Sequence, residues 1–212
     1  MSIVSHGRLI GVAAIIGLGW AGVSAQDKTT APAAKPAADL PRCPIMGEEI
    51  NFGVSTMTND GPVFFCCPSC IHEFEKNPAK HEEAVAKQRE ILSKRPRIQA
   101  TCPVSEKAVD GKTFAEVEGK KVGFCCAGCV DKYKAEPAKY KGRLEASYTY
   151  QTACPVSGKE ISPAASTELK TGERVYFCCA MCIEKFNKDI AAYAPKLAEQ
   201  GLRLNLRKLS GK

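Results

Sequence analysis

The sequence has little that would hold it in a membrane. Its only long apolar run lies at the very N-terminus, which excludes a multi-span membrane protein. It also lacks a strong excess of one charge. Thirty Lys and Arg against 23 Asp and Glu leave a formal charge of +7, the balance of a solvated surface rather than of a nucleic-acid binder. Aromatic residues are few, at 7%, yet 44% of residues are hydrophobic and 25% charged, which excludes wholesale disorder. The 12 cysteines make up about 6% of the 212 residues, below the roughly 8–10% of a pure disulfide scaffold. The length suits one or two domains.

The N-terminus reads as an address. His6 and Arg8 precede the apolar stretch Leu9–Trp20, and Val23-Ser24-Ala25 supplies small residues ahead of Gln26. This is the layout of a secretory signal peptide over 1–25, cleaved after Ala25, and it predicts a secreted or periplasmic protein. The apolar run is short for a membrane anchor, so the mature chain is expected to keep no stable membrane span. Residues 26–41, rich in Ala, Pro and Lys, read as an extended linker.

Three copies of one cysteine unit fill the rest. The first carries Cys43-Pro44-Ile45-Met46-Gly47 and then Phe64-Phe65-Cys66-Cys67-Pro68-Ser69-Cys70. The second carries Cys102-Pro103-Val104-Ser105-Glu106 and then Gly123-Phe124-Cys125-Cys126-Ala127-Gly128-Cys129. The third carries Cys154-Pro155-Val156-Ser157-Gly158 and then Tyr176-Phe177-Cys178-Cys179-Ala180-Met181-Cys182. Every cysteine takes part, so the repeat decides the architecture. An aromatic follows each last cysteine by four residues (Phe74, Tyr133, Phe186), and His81, Tyr140 and Tyr193 follow it by eleven. Pro78 and Pro137 also match, where the third copy has Ile190.

The expected fold is α+β: three tandem small treble-clef-like units, at 42–96, 97–147 and 148–212. In each, a tight Cys-Pro knuckle is followed by a β-hairpin turning at Asp60-Gly61, Glu118-Gly119 or Thr171-Gly172. The second hairpin arm ends in the double cysteine, and a helix starts at the last cysteine. Pro68 suits the first turn of that helix. Ala84, Val85, Ile91 and Leu92 predict a second amphipathic helix in the first unit. Leu202, Leu204 and Leu206 alternate ahead of Arg207-Lys208-Leu209-Ser210-Gly211-Lys212, which resembles a decayed fourth start. This predicts a C-terminal cap strand, with a plain basic tail as the alternative.

Thiolates are natural ligands of Zn(II), Cu(I) and heavier thiophilic ions. A knuckle cysteine and cysteines at a helix N-terminus can converge, and the helix end favours the thiolate. The expected metal sites are therefore Cys43, Cys66 and Cys70; Cys102, Cys125 and Cys129; and Cys154, Cys178 and Cys182, up to three ions in all. Cys67, Cys126 and Cys179 complete each site if the strand bends at the double cysteine; otherwise they are neighbouring or reactive thiols. Disulfides compete in an exported protein. The adjacent pair Cys66–Cys67 has Cα atoms only about 3.8 Å apart, too close for an ordinary disulfide, whereas Cys67–Cys70 is feasible. His72 and His81 change type between copies and are assigned to surface and packing; Met46 and Met181, absent from the other copies, are assigned to ordinary packing.

The spacing of Cys43, Cys66 and Cys70, repeated from Cys102, resembles the TRASH domain, a treble-clef-like metal module. The aromatic-Phe-Cys-x-x-x-Cys run with its following aromatic and Pro-Ala-Lys-His/Tyr is similar to the related YHS domain. The resemblance implies metal binding in trafficking, resistance or sensing of heavy metals, with the three-cysteine set as ligands. Copy three departs by one extra residue before Cys178, and the second cysteine of each pair inherits no role. The resulting expectation is an exported protein that captures, stores or transfers Zn(II) or Cu(I), with a metal-transfer protein as a possible partner and no nucleic acid. A structural-zinc interaction scaffold is the alternative. Enzyme activity is not expected: no general base repeats as catalytic zinc requires, and the units are too short for the thioredoxin-like fold a Cys67-x-x-Cys70 thiol oxidoreductase needs.

Overall fold

A computed structural model describes residues 41–210; the expected signal peptide and positions 26–40 of the linker lie outside the described residues. Each module starts with the knuckle. The Cys43 N–H donates to the Glu48 carbonyl (2.7 Å) and the Gly47 N–H to the Cys43 carbonyl (2.8 Å). The same pair of bonds closes the knuckles at Cys102 and Cys154. The fifth knuckle residue has a positive φ in all three: Gly47 at 69°, Glu106 at 61° and Gly158 at 72°. Glycine fits that conformation freely, and glutamate fits it only with strain.

A hairpin follows each knuckle: β1 (Asn51–Thr58) with β2 (Gly61–Phe65), β4 (Thr113–Val117) with β5 (Lys120–Phe124), and β7 (Ser162–Glu168) with β8 (Arg174–Phe177). The second arms end beside the cysteines and are the buried ones. Phe65, Phe124 and Phe177 are fully buried, each such ring contributing about 2–3 kcal/mol by removal from water.

The first helices are α1 (Pro68–Lys76), α3 (Ala127–Ala135) and α5 (Ala180–Lys188). They begin two residues before the last cysteine, not at it. The second cysteine of each pair is thereby the extended residue preceding the helix, and Pro68 occupies the first turn, where its missing N–H is harmless. The aromatic one turn on lies against the ring before the cysteines: Phe74 on Phe65 at 5.4 Å, Tyr133 on Phe124 at 5.5 Å, Phe186 on Phe177 at 5.1 Å between centroids. His81, Tyr140 and Tyr193 extend each ladder by one ring.

A second helix is present in all three modules, beyond the one expected: α2 (Glu82–Ser93) after a 3-10 turn at Pro78–His81, α4 (Pro137–Ala146) and α6 (Ile190–Ala198). Of the apolar residues that predict α2, Val85 and Leu92 are buried, Ile91 is half-buried and Ala84 is exposed. Where the third copy lacks the proline, the Asp189 side chain accepts from the Ala192 N–H (3.1 Å) and caps α6 instead.

The modules pack together. β3 (Ile98–Gln99) pairs antiparallel with β6 (Tyr148–Thr149), joining the lead-in segments of modules 2 and 3. Helix α4 lies on the first hairpin so closely that a Cβ on Gly142 would stand 2.8 Å from the Asn59 carbonyl oxygen. Tyr150 stacks on Phe52 at 4.6 Å. The result is a mixed α+β protein of small two-stranded sheets, each with its own core. No helix among the described residues is long and apolar enough to cross a membrane.

The cap strand is not formed. Residues 202–205 are irregular, and Leu206–Ser210 is a short helix, α7. The Asn205 side chain accepts from the Lys208 N–H (3.1 Å), which starts that helix. The tail nevertheless docks on module 1. The Phe52 N–H donates to the Gly201 carbonyl (2.9 Å), and the Asn51 side chain exchanges two bonds with the Arg203 backbone.

Candidate metal centre

The knuckle, the end of the hairpin and the first helical turn meet at the cysteines. In each module three sulfurs lie within 4.8 Å of one another: Cys43, Cys66 and Cys70; Cys102, Cys125 and Cys129; Cys154, Cys178 and Cys182. The Sγ–Sγ distance within the Cys-x-x-x-Cys pair is 3.6 Å in all three. Sulfurs about 2.3 Å from a tetrahedral zinc stand about 3.8 Å apart, so the donor set fits a thiophilic ion. The first and last cysteines are buried and the middle one is half-buried.

The fourth cysteines do not join those sets, although they border them. Cys67 lies 3.5 Å from Cys70. Cys126 lies 3.8 Å from Cys125 and 3.6 Å from Cys129. Cys179 lies 3.7 Å from Cys178 and 3.8 Å from Cys182. Each therefore touches the helix side of its trio. His72 is exposed and His81 half-buried beside the Phe74 ring, as their assignment to surface and packing predicts. Met46 and Met181 differ from expectation: both are largely exposed rather than packed, since nothing covers the knuckle tip or the first helical turn there.

The thiols of a trio are unequal. Burial pushes the Cys102 and Cys154 thiols up. The side-chain hydrogen bonds of Ser105 and Ser157, together with backbone groups around each cysteine, outweigh it and hold both at about 7. Cys43 is also lowered, by backbone groups of Met46, Cys66 and Ile45 acting against burial. The last cysteines move the other way. Burial, followed by the neighbouring sulfurs, raises Cys70 and pushes Cys129 and Cys182 up to about 12. The fourth cysteines Cys67, Cys126 and Cys179 are lowered, first by the backbone at Cys70, Cys129 or Cys182 near the helix start. Each trio thus joins a thiol of lowered pKa to one of raised pKa, whose proton a bound cation would help to displace into solvent.

The sequence reading missed three glutamines. Gln99 accepts from the Gly123 N–H (2.7 Å) and donates to the Gly123 (2.8 Å) and Thr101 (3.2 Å) carbonyls. Gln151 treats Tyr176 and Ala153 identically. Each amide stands in for a missing strand, tying the residue before the knuckle to the hairpin arm two residues ahead of the double cysteine. Module 1 has Leu40 at the matching sequence position. There Gln88, from helix α2 and 1% exposed, reaches in and makes the same bonds to Phe64 and Arg42. The equal offset of Gln99 and Gln151, three residues before Cys102 and Cys154, was a readable signal; Gln88 carried none. Ser105 and Ser157 form a second shared device, with Oγ 3.1 and 3.2 Å from the sulfurs of Cys125 and Cys178.

Comparison with protein-family models, curated proteins and solved structures finds no match to this chain.

Proposed function

We propose that the protein is an exported metal carrier that captures and hands on Zn(II) or Cu(I), one ion per module. The observation that carries this reading is the threefold recurrence of a three-sulfur set within 4.8 Å. The resemblance of the cysteine spacing to TRASH and YHS modules, with a treble-clef-like arrangement of knuckle, hairpin and helix, agrees with it. Three similar sites on one chain suit capacity or relay better than catalysis. The half-buried middle thiols leave one side of each trio accessible, so that an incoming ligand or partner thiol could bind the ion as a protein sulfur leaves it, with the bordering fourth thiol close by. The signal-peptide layout of residues 1–25 supports export as part of this reading. Metal analysis of anaerobically purified, reduced protein is expected to give about three ions per chain; a folded, reduced chain that takes up none would overturn the proposal.

A structural-zinc scaffold is the second reading, favoured by the small size of the three separate cores. A carrier releases its metal to a competing thiol and stays folded, whereas a scaffold unfolds when its zinc is chelated.

A further inference from the structure

Module 1 differs from the others in what faces its cysteines. Cys66 and Cys67 form one wall of a cleft of about 950 Å³ between the first hairpin, the β7–β8 turn and the C-terminal tail. That is the volume of a small-molecule site rather than of a macromolecular interface. The facing wall is basic: Lys170 from the turn, and Arg203, Arg207 and Lys208 from the tail. Arg203 is committed to module 1, donating to the Glu49 and Ile50 carbonyls at 2.7 and 2.9 Å. Lys170, Arg207 and Lys208 have no ion-pair partner among the described residues. Glu173 is the one carboxylate on the lining, and its Oε2 is withdrawn from solvent. Gly53 makes the closure possible, because a Cβ there would stand 2.7 Å from Glu173 Cγ.

Cations without counter-ions on a partly enclosed wall concentrate anions, and more strongly than on an open surface. Thiols on the opposite wall select sulfur chemistry. A ligand that satisfies both walls carries carboxylates at one end and a thiol at the other. We propose that this cleft binds a small, carboxylate-bearing thiol whose sulfur caps the ion of module 1. The inference rests on the metal-carrier reading. In the capping step the ligand S–H gives its proton to solvent, a sulfur–metal bond forms and a water or weaker ligand leaves; nothing is oxidised or reduced. The serine that bonds the middle cysteine in modules 2 and 3 is replaced here by the exposed Met46, so the Cys66 sulfur has no hydroxyl partner from the knuckle. Module 1 would then be the loading position, receiving metal together with its thiol carrier.

The test is calorimetric titration of the zinc-loaded full chain with reduced glutathione, with zinc counted in the same sample and S-methylglutathione as control. The expected result is three zinc ions and one glutathione per chain, with S-methylglutathione at least tenfold weaker. The triple variant Lys170→Glu, Arg207→Glu, Lys208→Glu should also bind glutathione at least tenfold more weakly while keeping three zinc ions. Three zinc ions without glutathione binding, binding at all three modules alike, or binding indifferent to the charge reversal or to S-methylation overturns the capping proposal alone. A folded, reduced chain that loads neither zinc nor, under anaerobic conditions, Cu(I) overturns the carrier reading and the capping proposal with it.

Discussion

Modules 2 and 3 hold their cysteines by one scheme and module 1 by another. In modules 2 and 3 the glutamine that ties knuckle to hairpin sits three residues before the first cysteine, and a knuckle serine bonds the middle sulfur. In module 1 the glutamine comes from helix α2, the serine is replaced by Met46, and part of the surroundings comes from the tail of module 3. One three-sulfur geometry is thus reached through two support schemes. The trio needs its backbone frame held, and any amide that pairs with the edge of the second hairpin arm can hold it.

The largest expected effect tests whether the three sites are equivalent despite that difference. Cys66→Ser and Cys125→Ser should each reduce the metal load from three ions to two, read by native mass spectrometry. A fall to zero in either variant would show that the sites load only together.

The clamp comes next. Gln88→Ala leaves the Phe64 N–H and two carbonyls without partners in a buried place, at about 1–3 kcal/mol for each group that water cannot reach. A loss of about 3 kcal/mol in chemical denaturation of the metal-free protein is expected. Gln99→Ala should cost less, because Gln99 is only partly buried. Equal losses would mean that the burial of the glutamine does not set the cost.

Acidity separates the thiols within a module. Cys102 and Cys154, at about 7 against an ordinary 9.0, stabilise the metal-free fold fully above about pH 9, and that contribution is lost as pH falls through 7. Cys129 and Cys182, at about 12, contribute fully below about pH 9 and lose their contribution as pH rises towards 12. Thermal melts of reduced, metal-free protein should therefore peak near pH 9. In Ser105→Ala the acid side should soften for module 2, since Cys102 loses the side chain that lowers it. Melts that are flat between pH 7 and 9 would contradict the assignment.

The smallest effect concerns the knuckle. Glu106 holds the left-handed conformation that Gly47 and Gly158 hold without strain. Its 3.5 Å ion pair with Arg143 is exposed and contributes little. Glu106→Gly should stabilise module 2 by about 0.5–1 kcal/mol in denaturant titration, even after the extra freedom glycine gives the unfolded chain.

The hairpins, first helices and three-sulfur sets could be read from the sequence because they repeat with nearly constant spacing; the aromatic positions repeat as well, but the ring each one lies on was not legible. What could not be read is what repeats in space but not in sequence. Gln88 and Gln99 do one job from unrelated positions. The second helix of module 2 carries a weaker apolar pattern than Val85 and Leu92 give α2, and that of module 3 is apolar but interrupted by Pro195, which argues against a helix in the sequence. The tail misled for a related reason: alternating leucines imply a strand only where an edge is free to pair. Here the irregular pairing between Asn51 and Ser55 offers only the single Phe52–Gly201 bond, and Asn205 turns the chain into a helix.

Sulfur coordination of an ion, as opposed to covalent pairing of the thiols, is most directly read by X-ray absorption at the metal edge of anaerobically purified protein, with metal and free thiols counted in the same sample. The account predicts three ions per chain, each with at least three sulfurs at about 2.3 Å. Fewer than three sulfurs per ion, or cysteines found cross-linked to one another in a folded, metal-free chain, would contradict it.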